Sequence, residues 1–165
     1  MFAKNAPNLH VIFGWLEIGE IINVGADTKS VIKRYPWLKK HPHLHGIQNA
    51  KNVVYVAADH LSDRYSGGKK LSGGGQFLKF ADHRVLTAPK APGRSIWQLP
   101  SWFMPEGRPP LSYHKQPERW QKNGNHVTLN SVAKGQEFVL DCAYYSEAMG
   151  WIQNLFSPGE SANND

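Results

Sequence analysis

The chain has one cysteine, Cys142, in 165 residues. That excludes an internal disulfide and fits a reducing compartment, so the expected location is the cytoplasm. No apolar run approaches the roughly 18 residues of a membrane span. No charged-then-apolar leader opens the sequence, and no membrane partner is expected. Acidic groups are scarce, with thirteen Asp and Glu against nineteen Lys and Arg. A Gly-x-Ser-x-Gly elbow is missing. The run from Gly67 to Gly75 lacks the Gly-Lys-Ser/Thr ending of a triphosphate-binding loop. These absences count against a hydrolase and leave open whether the chain is an enzyme at all. Without a repeat or an internal linker, residues 1–156 are expected to form one globular domain, and 157–165 a disordered polar tail.

What is present points to strands and turns. Fifteen Gly and eleven Pro break the chain often, and aromatics make up 12% of it, with six Trp. The run 10–22 predicts one long buried strand interrupted by Gly14 and Gly19, positions where a bulge or a close backbone approach is expected. Asp27 or Thr28 is placed to cap a short helix through Arg34, while Pro36 and Pro42 forbid a long helix over 35–45. Strands are predicted at 52–57, 84–87, 95–99, 127–129 and 136–140, with the Gly/Ser/Lys stretch 62–75 the most mobile segment. Residues 100–122, with five prolines among aromatics, read as an irregular excursion. A C-terminal helix starts after Ser146 and buries Met149, Trp151, Ile152, Leu155 and Phe156. The fold class is α+β: a small curled or barrel-like, mostly antiparallel sheet with a C-terminal helix.

The formal charge of +6 favours a polyanionic partner. Trp97, Trp102, Phe103, Tyr113 and Trp120 fall within 24 residues, interspersed with Arg94, Arg108, His114, Lys115 and Arg119. Aromatic faces flanked by cations suit an unstacked base, each stack contributing roughly 1–3 kcal/mol. The competing reading is that the rings fill the core. Phe103 and Trp151 are assigned to that core, while Trp37 and Trp120, flanked by Lys and Arg, are expected to be partly exposed. The expected base or ligand site is Phe13, Trp15, Ser95, Trp97, Trp102, Tyr113 and His114, with phosphates on Lys69, Lys70, Arg94 and Arg119. Cys142, just after an apolar stretch, reads as a buried inert thiol. In an extended segment His41, His43 and His45 would point to one side and could hold a divalent metal. Otherwise no cofactor is expected.

Several blocks together resemble a known family: HVIFGWLEIGEII (10–22), PWLKKHPHL (36–44), NVVYVA (52–57), GGGQFLKF (73–80), LTAP (86–89), RSIWQLPSWF (94–103), LSYH (111–114) and GQEFVLD (135–141). They resemble, in order and over nearly the whole chain, the third of the nucleotide modification associated domain families. The resemblance implies company with modified nucleotides in the DNA of bacteria and phages, and no particular reaction. Members of that family carry a further aromatic-glycine strand ahead of the first block, so the resemblance implies a short member, a fragment, or a chain whose protein partner supplies a separately encoded N-terminal half. The FGW and IGE segments are also similar to PUA-like barrels, some of which read modified bases.

Three functions follow as expectations. The first is a nucleic-acid or modified-nucleotide binding module holding a base in an aromatic pocket. The second is an enzyme acting on a nucleotide or DNA base, through a metal on the 41–45 histidines or through His114 as general base. The third is a phage or host protein-interaction module. Oligomeric state is left open.

Overall fold

The computed structural model describes residues 7–45, 49–132 and 137–156, so the expected tail at 157–165 lies outside the described residues. The architecture is α+β, with small antiparallel sheets and three α-helices, one of them C-terminal. Among the described residues the strands form separate two- and three-stranded sheets, and none closes into a barrel. No described helix is long and apolar enough to cross a membrane. The chain divides into two compact units.

The ribbon unit comprises residues 14–63 and 68–75. The expected single strand over 10–22 is two: β1 (Gly14–Leu16) and β2 (Ile18–Asn23). Glu17 divides them. Its carboxylate accepts from the Ser62 N–H at 2.6 Å and the Ser62 hydroxyl at 2.5 Å, which turns the side chain to a local loop. The helix α1 (Thr28–Arg34) is capped by Asp27, whose side chain accepts from the Ser30 N–H at 3.1 Å, and Lys33 and Arg34 sit at its negative end. Pro36 and Pro42 each open a 3-10 turn, consistent with proline's fixed φ and missing N–H.

The strand β3 (Val53–Ala57) pairs antiparallel with β2, and the register slips between Ile18 and Glu20. Gly19 sits at that slip because a Cβ there would lie 2.7 Å from the Ala58 Cα. Gly73 meets the same residue, and a Cβ on it would run into the Ala58 carbonyl. The Gly/Ser/Lys stretch carries defined contacts and elements. Leu61 N–H bonds the Leu71 carbonyl at 3.1 Å, α2 (Asp63–Ser66) is one helical turn, and β4 (Gly74–Gln76) pairs with β1. Ile22, Val24, Leu38, Leu44 and Val54 form this unit's core.

The sheet unit comprises the described residues 7–13, 64–67, 76–132 and 137–156. Its sheet has the order β5 (Ile96–Pro100), β7 (His126–Asn130), β6 (Trp120–Asn123), all antiparallel. Trp97 pairs with Leu129 and Leu99 with Val127, so the period-2 alternation turns these four inward and leaves Gln98 outward. The β6–β7 hairpin closes through Gly124 and Asn125. Gly124, with φ +60°, takes the first loop position, where a II′ turn favours glycine.

The helix α3 (Ala148–Leu155) buries Ala148 and Leu155 and lays Trp151 edge-on to Phe103, ring centroids 5.1 Å apart. Ser146 does not cap it. The cap position is Glu147, whose carboxylate accepts from the Ser146 hydroxyl instead. Two expected strands are absent among the described residues. Residues 82–84 form a 3-10 turn followed by isolated bridges at Val85 and Thr87, and the described residues 137–140 are irregular.

Candidate functional site

Trp97 is the largest fully buried side chain, 1% exposed. Its Nε1–H donates to His10 Nδ1 at 2.8 Å, and the rings of His114 and Phe138 lie 5.6 and 5.8 Å from it. A ring so enclosed has no face left for a base, so Trp97 is a core residue and not a pocket wall. His114, with no exposed surface, is likewise a core residue. Its Nδ1 lies 2.7 Å from the Ser112 carbonyl and its Nε2 lies 3.3 Å from the Val132 N–H. Donor and acceptor roles are thereby fixed on backbone groups, which leaves no ring nitrogen for a base edge or for proton abstraction.

Trp102 is half-buried and stacked on Phe103 at 3.9 Å, with Tyr145 and Trp151 around it. Trp15 belongs to the ribbon unit and is half-buried, with Gly75 against its indole. Phe13 is exposed, and its carbonyl accepts from the Phe77 N–H. Ser95 is half-buried, and its carbonyl accepts from Ser131 N–H. Tyr113 is 66% exposed and adopts φ +66°, a left-handed conformation costly for a tyrosine. Lys69 and Lys70 are exposed on the ribbon unit. Arg119 is tied down by Gln116 Oε1 at 2.7 Å and the Asn130 carbonyl at 3.0 Å.

The three histidines do not converge. Pro42–Leu44 is a 3-10 turn, not an extended segment, and it spends the rings on backbone. His41 Nδ1 accepts from His43 N–H at 3.3 Å, His43 Nδ1 lies 3.4 Å from the Val53 carbonyl, and His45 Nε2 lies 2.5 Å from the Lys39 carbonyl. Among the described residues no three His, Cys, Asp or Glu side chains are grouped as a metal ion would need. His41, His43 and His45 therefore do not form a metal site.

What the Pro-rich excursion does build is a groove of about 320 Å³ in the sheet unit, lined by 104–108, Pro110, Lys115, Pro117 and Trp120. Trp120, expected to be partly exposed, is 6% exposed and pinned by an Nε1–H bond to the His114 carbonyl at 2.8 Å. Arg108 shapes the opposite side. Its Nη2 donates to the carbonyls of Trp102 at 2.7 Å and Met104 at 3.0 Å, and its guanidinium lies 4.2 Å from the Tyr145 ring centroid. Tyr145 in turn donates to the Pro109 carbonyl at 2.7 Å, and burial pushes its hydroxyl pKa up. At the rim, Glu106 pairs with Lys122 at 2.7 Å. Lys115 has neither an ion pair nor a hydrogen bond to another described side chain and is exposed.

Three prolines, a pinned indole and a pinned guanidinium make this an apolar, preformed groove with one unengaged cation. Trp120 and Met104 were not among the expected ligand residues. The signal for them was the unexplained cluster of prolines around aromatics in 100–122.

Burial lowers the pKa of both His10 and His114; the Arg94 charge adds to this at His10, and at His114 the bond to the Ser112 carbonyl opposes it while the Arg119 charge adds to it. Both folded values lie below the ordinary value of about 6.5, so near that pH the unfolded chain binds more protons. Stability should be level above about pH 6.5 and fall as the pH drops below it. Melting temperatures measured between pH 7.5 and 5.5 are expected to decline, less steeply in His10→Gln than in the wild type.

The class of protein this defines is an α+β domain with a preformed apolar groove. The chain belongs to the nucleotide modification associated domain 3 family, whose model matches residues 2–141. Membership associates it with nucleotide modification. No curated protein and no solved structure matches the chain.

Proposed function

We propose that the chain binds nucleotides or nucleic acid and seats a base in the Met104–Trp120 groove, with Lys115 reaching the adjoining phosphate. The observation that carries this is the groove itself. It is apolar, walled in part by Trp120 and of a size proper to a small planar ligand, with a free cation at its lip. The family's association with nucleotide modification and the net charge of +6 support the same reading. The base then lies against Met104 and the proline rings, over the small part of the Trp120 side chain that stays exposed. The pocket is thus aromatic in part only, and it draws on a different set of residues from the tryptophans of β5 and the turn after it. A cytoplasmic location and a separately encoded partner belong to this proposal as well.

The enzymatic reading loses its named groups, since the 41–45 histidines face backbone and His114 is fully engaged. No other reading is favoured by a specific contact.

The test is a binding screen of modified and unmodified oligonucleotides and free nucleotides at two salt concentrations. Affinity for the oligonucleotide should fall with salt, as phosphate contacts require. Lys115→Glu, on an exposed side chain, should weaken it about tenfold, roughly 1.4 kcal/mol, with the melting temperature unchanged. Equal affinity of wild type and variant at low salt would remove Lys115 from the site.

A further inference from the structure

The sheet unit carries a second cleft, of about 380 Å³, bounded by residues 7–9 and the turn 87–94. Its chemistry differs from that of the groove. Arg94 and Lys90 both line it, and among the described residues neither takes part in an ion pair. The Arg94 guanidinium is steadied by one neutral contact, Nη1 to Asn8 Oδ1 at 3.0 Å. The turn beneath is tightly bonded. Ala88 N–H reaches the Ile96 carbonyl at 2.8 Å and Ile96 N–H reaches the Gly93 carbonyl at 3.2 Å. Thr87 Oγ1 accepts from His10 N–H at 2.8 Å and donates to the Arg94 carbonyl at 2.9 Å. Through His10, which holds the buried Trp97, the cleft wall is anchored to the core.

Lys90 has φ +59°, in the left-handed region that a lysine adopts only at a conformational cost and a glycine adopts freely. No described contact of its side chain accounts for a lysine there. Strain of this kind collects where a side chain is needed by something other than the fold. Two unpaired cations, one on a strained backbone and one oriented by Asn8, converge on a single cleft with no carboxylate among its lining residues.

We propose that this cleft is a phosphate-binding site, with Arg94 offering its planar donor fork to two phosphoryl oxygens and Lys90 acting as a mobile point charge. The phosphate belongs either to a free nucleotide or to a nucleic-acid backbone. The proposal goes beyond the groove reading and stands without it.

The experiment is an amide NMR titration of the full chain with inorganic phosphate at constant ionic strength, then with a nucleoside 5′-monophosphate, the matching nucleoside and a short oligonucleotide. The amides of Ala91, Gly93 and Arg94 should shift saturably with phosphate and with the monophosphate, and stay still with the nucleoside. Tighter binding of the oligonucleotide than of the monophosphate would assign the cleft to a backbone, and the reverse to a free nucleotide. Arg94→Gln should weaken phosphate at least tenfold. Lys90→Gly should weaken it several-fold while raising the melting temperature by a few degrees, because glycine relieves the positive φ. Loss of binding with gain of stability cannot come from a damaged fold. Lys115→Glu should leave the phosphate titration unchanged, so that the groove and the cleft fail separately. Absence of a saturable phosphate shift, a wild-type titration in Arg94→Gln, or unchanged binding in Lys90→Gly would each overturn the proposal.

Discussion

Trp97→Ala is expected to destabilise the sheet unit by about 3–5 kcal/mol, the range for removing a large aromatic from a core. The side chain is 1% exposed and packs with Leu86, Leu99, Phe103, Leu111, Val127 and Leu129 in a single cluster. Three consequences add up. The indole volume is lost, the neighbouring His114 and Phe138 rings lose a partner, and His10 Nδ1 loses its donor. His10 Nε2 already has no partner among the described residues, so the variant leaves a buried imidazole with both nitrogens unsatisfied. The melting temperature should fall by roughly 10 °C in a chain of this size. Trp97→Phe restores part of the packing and none of the hydrogen bond, and should fall between the two. A Trp97→Ala protein that melts like the wild type and has lost nucleotide binding would return Trp97 to the pocket wall.

Arg84→Ala should cost about 2–4 kcal/mol although no carboxylate is involved. The guanidinium is buried, 3.9 Å from the Phe77 ring centroid. Its Nε donates to the Leu155 carbonyl at 2.9 Å, satisfying the last turn of α3, and its Nη1 donates to the Lys79 carbonyl at 3.0 Å. One planar cation therefore ties the C-terminal helix to the segment after β4. Alanine would strand two carbonyls and uncover one ring. Arg84→Lys keeps the charge but cannot stack and fork at once, so it should recover less than half of the loss. Thermal melts of the three proteins, followed by near-ultraviolet dichroism, check both the size and the ranking. Full recovery by lysine would mean that charge, not geometry, holds the helix.

Much of the fold was readable because its causes are local. The strand at 53–57 is β-branched, and the cap at Asp27 and the breaks at Pro36 and Pro42 act through their own backbone neighbours. The alternation Ile96-Trp97-Gln98-Leu99 even carried the answer for Trp97, since it places Trp97 on the same face as Leu99. What stayed hidden depends on residues far along the chain. Glu17 marks the end of β1, where its N–H bonds the Gly73 carbonyl and its carbonyl takes the Ala58 N–H, and Gly73 is required because it meets Ala58. Nothing near either residue says so.

The same applies to the site. The flanking Arg119 and Gln121 make Trp120 look exposed, yet β6 is an edge strand only four residues long, and its first residue turns inward against β7. The histidines at 41, 43 and 45 fail as ligands because Pro42 opens a 3-10 turn, where i and i+2 no longer share a side. Cations were easier to find than partners. Arg94 lines a cleft, while Arg119 is bound to backbone.

The groove is tested most directly by methionine-methyl NMR. The sequence has three methionines, and of these Met104 lines the groove while Met149 lies on α3. A base seated against Trp120 must shift the Met104 methyl through its ring current. The Met104 signal should therefore move saturably as a nucleoside monophosphate is added, with Met149 unmoved. A Met104 methyl that stays still at millimolar nucleotide, while the cleft amides of Gly93 and Arg94 shift, would contradict the seating of a base in this groove.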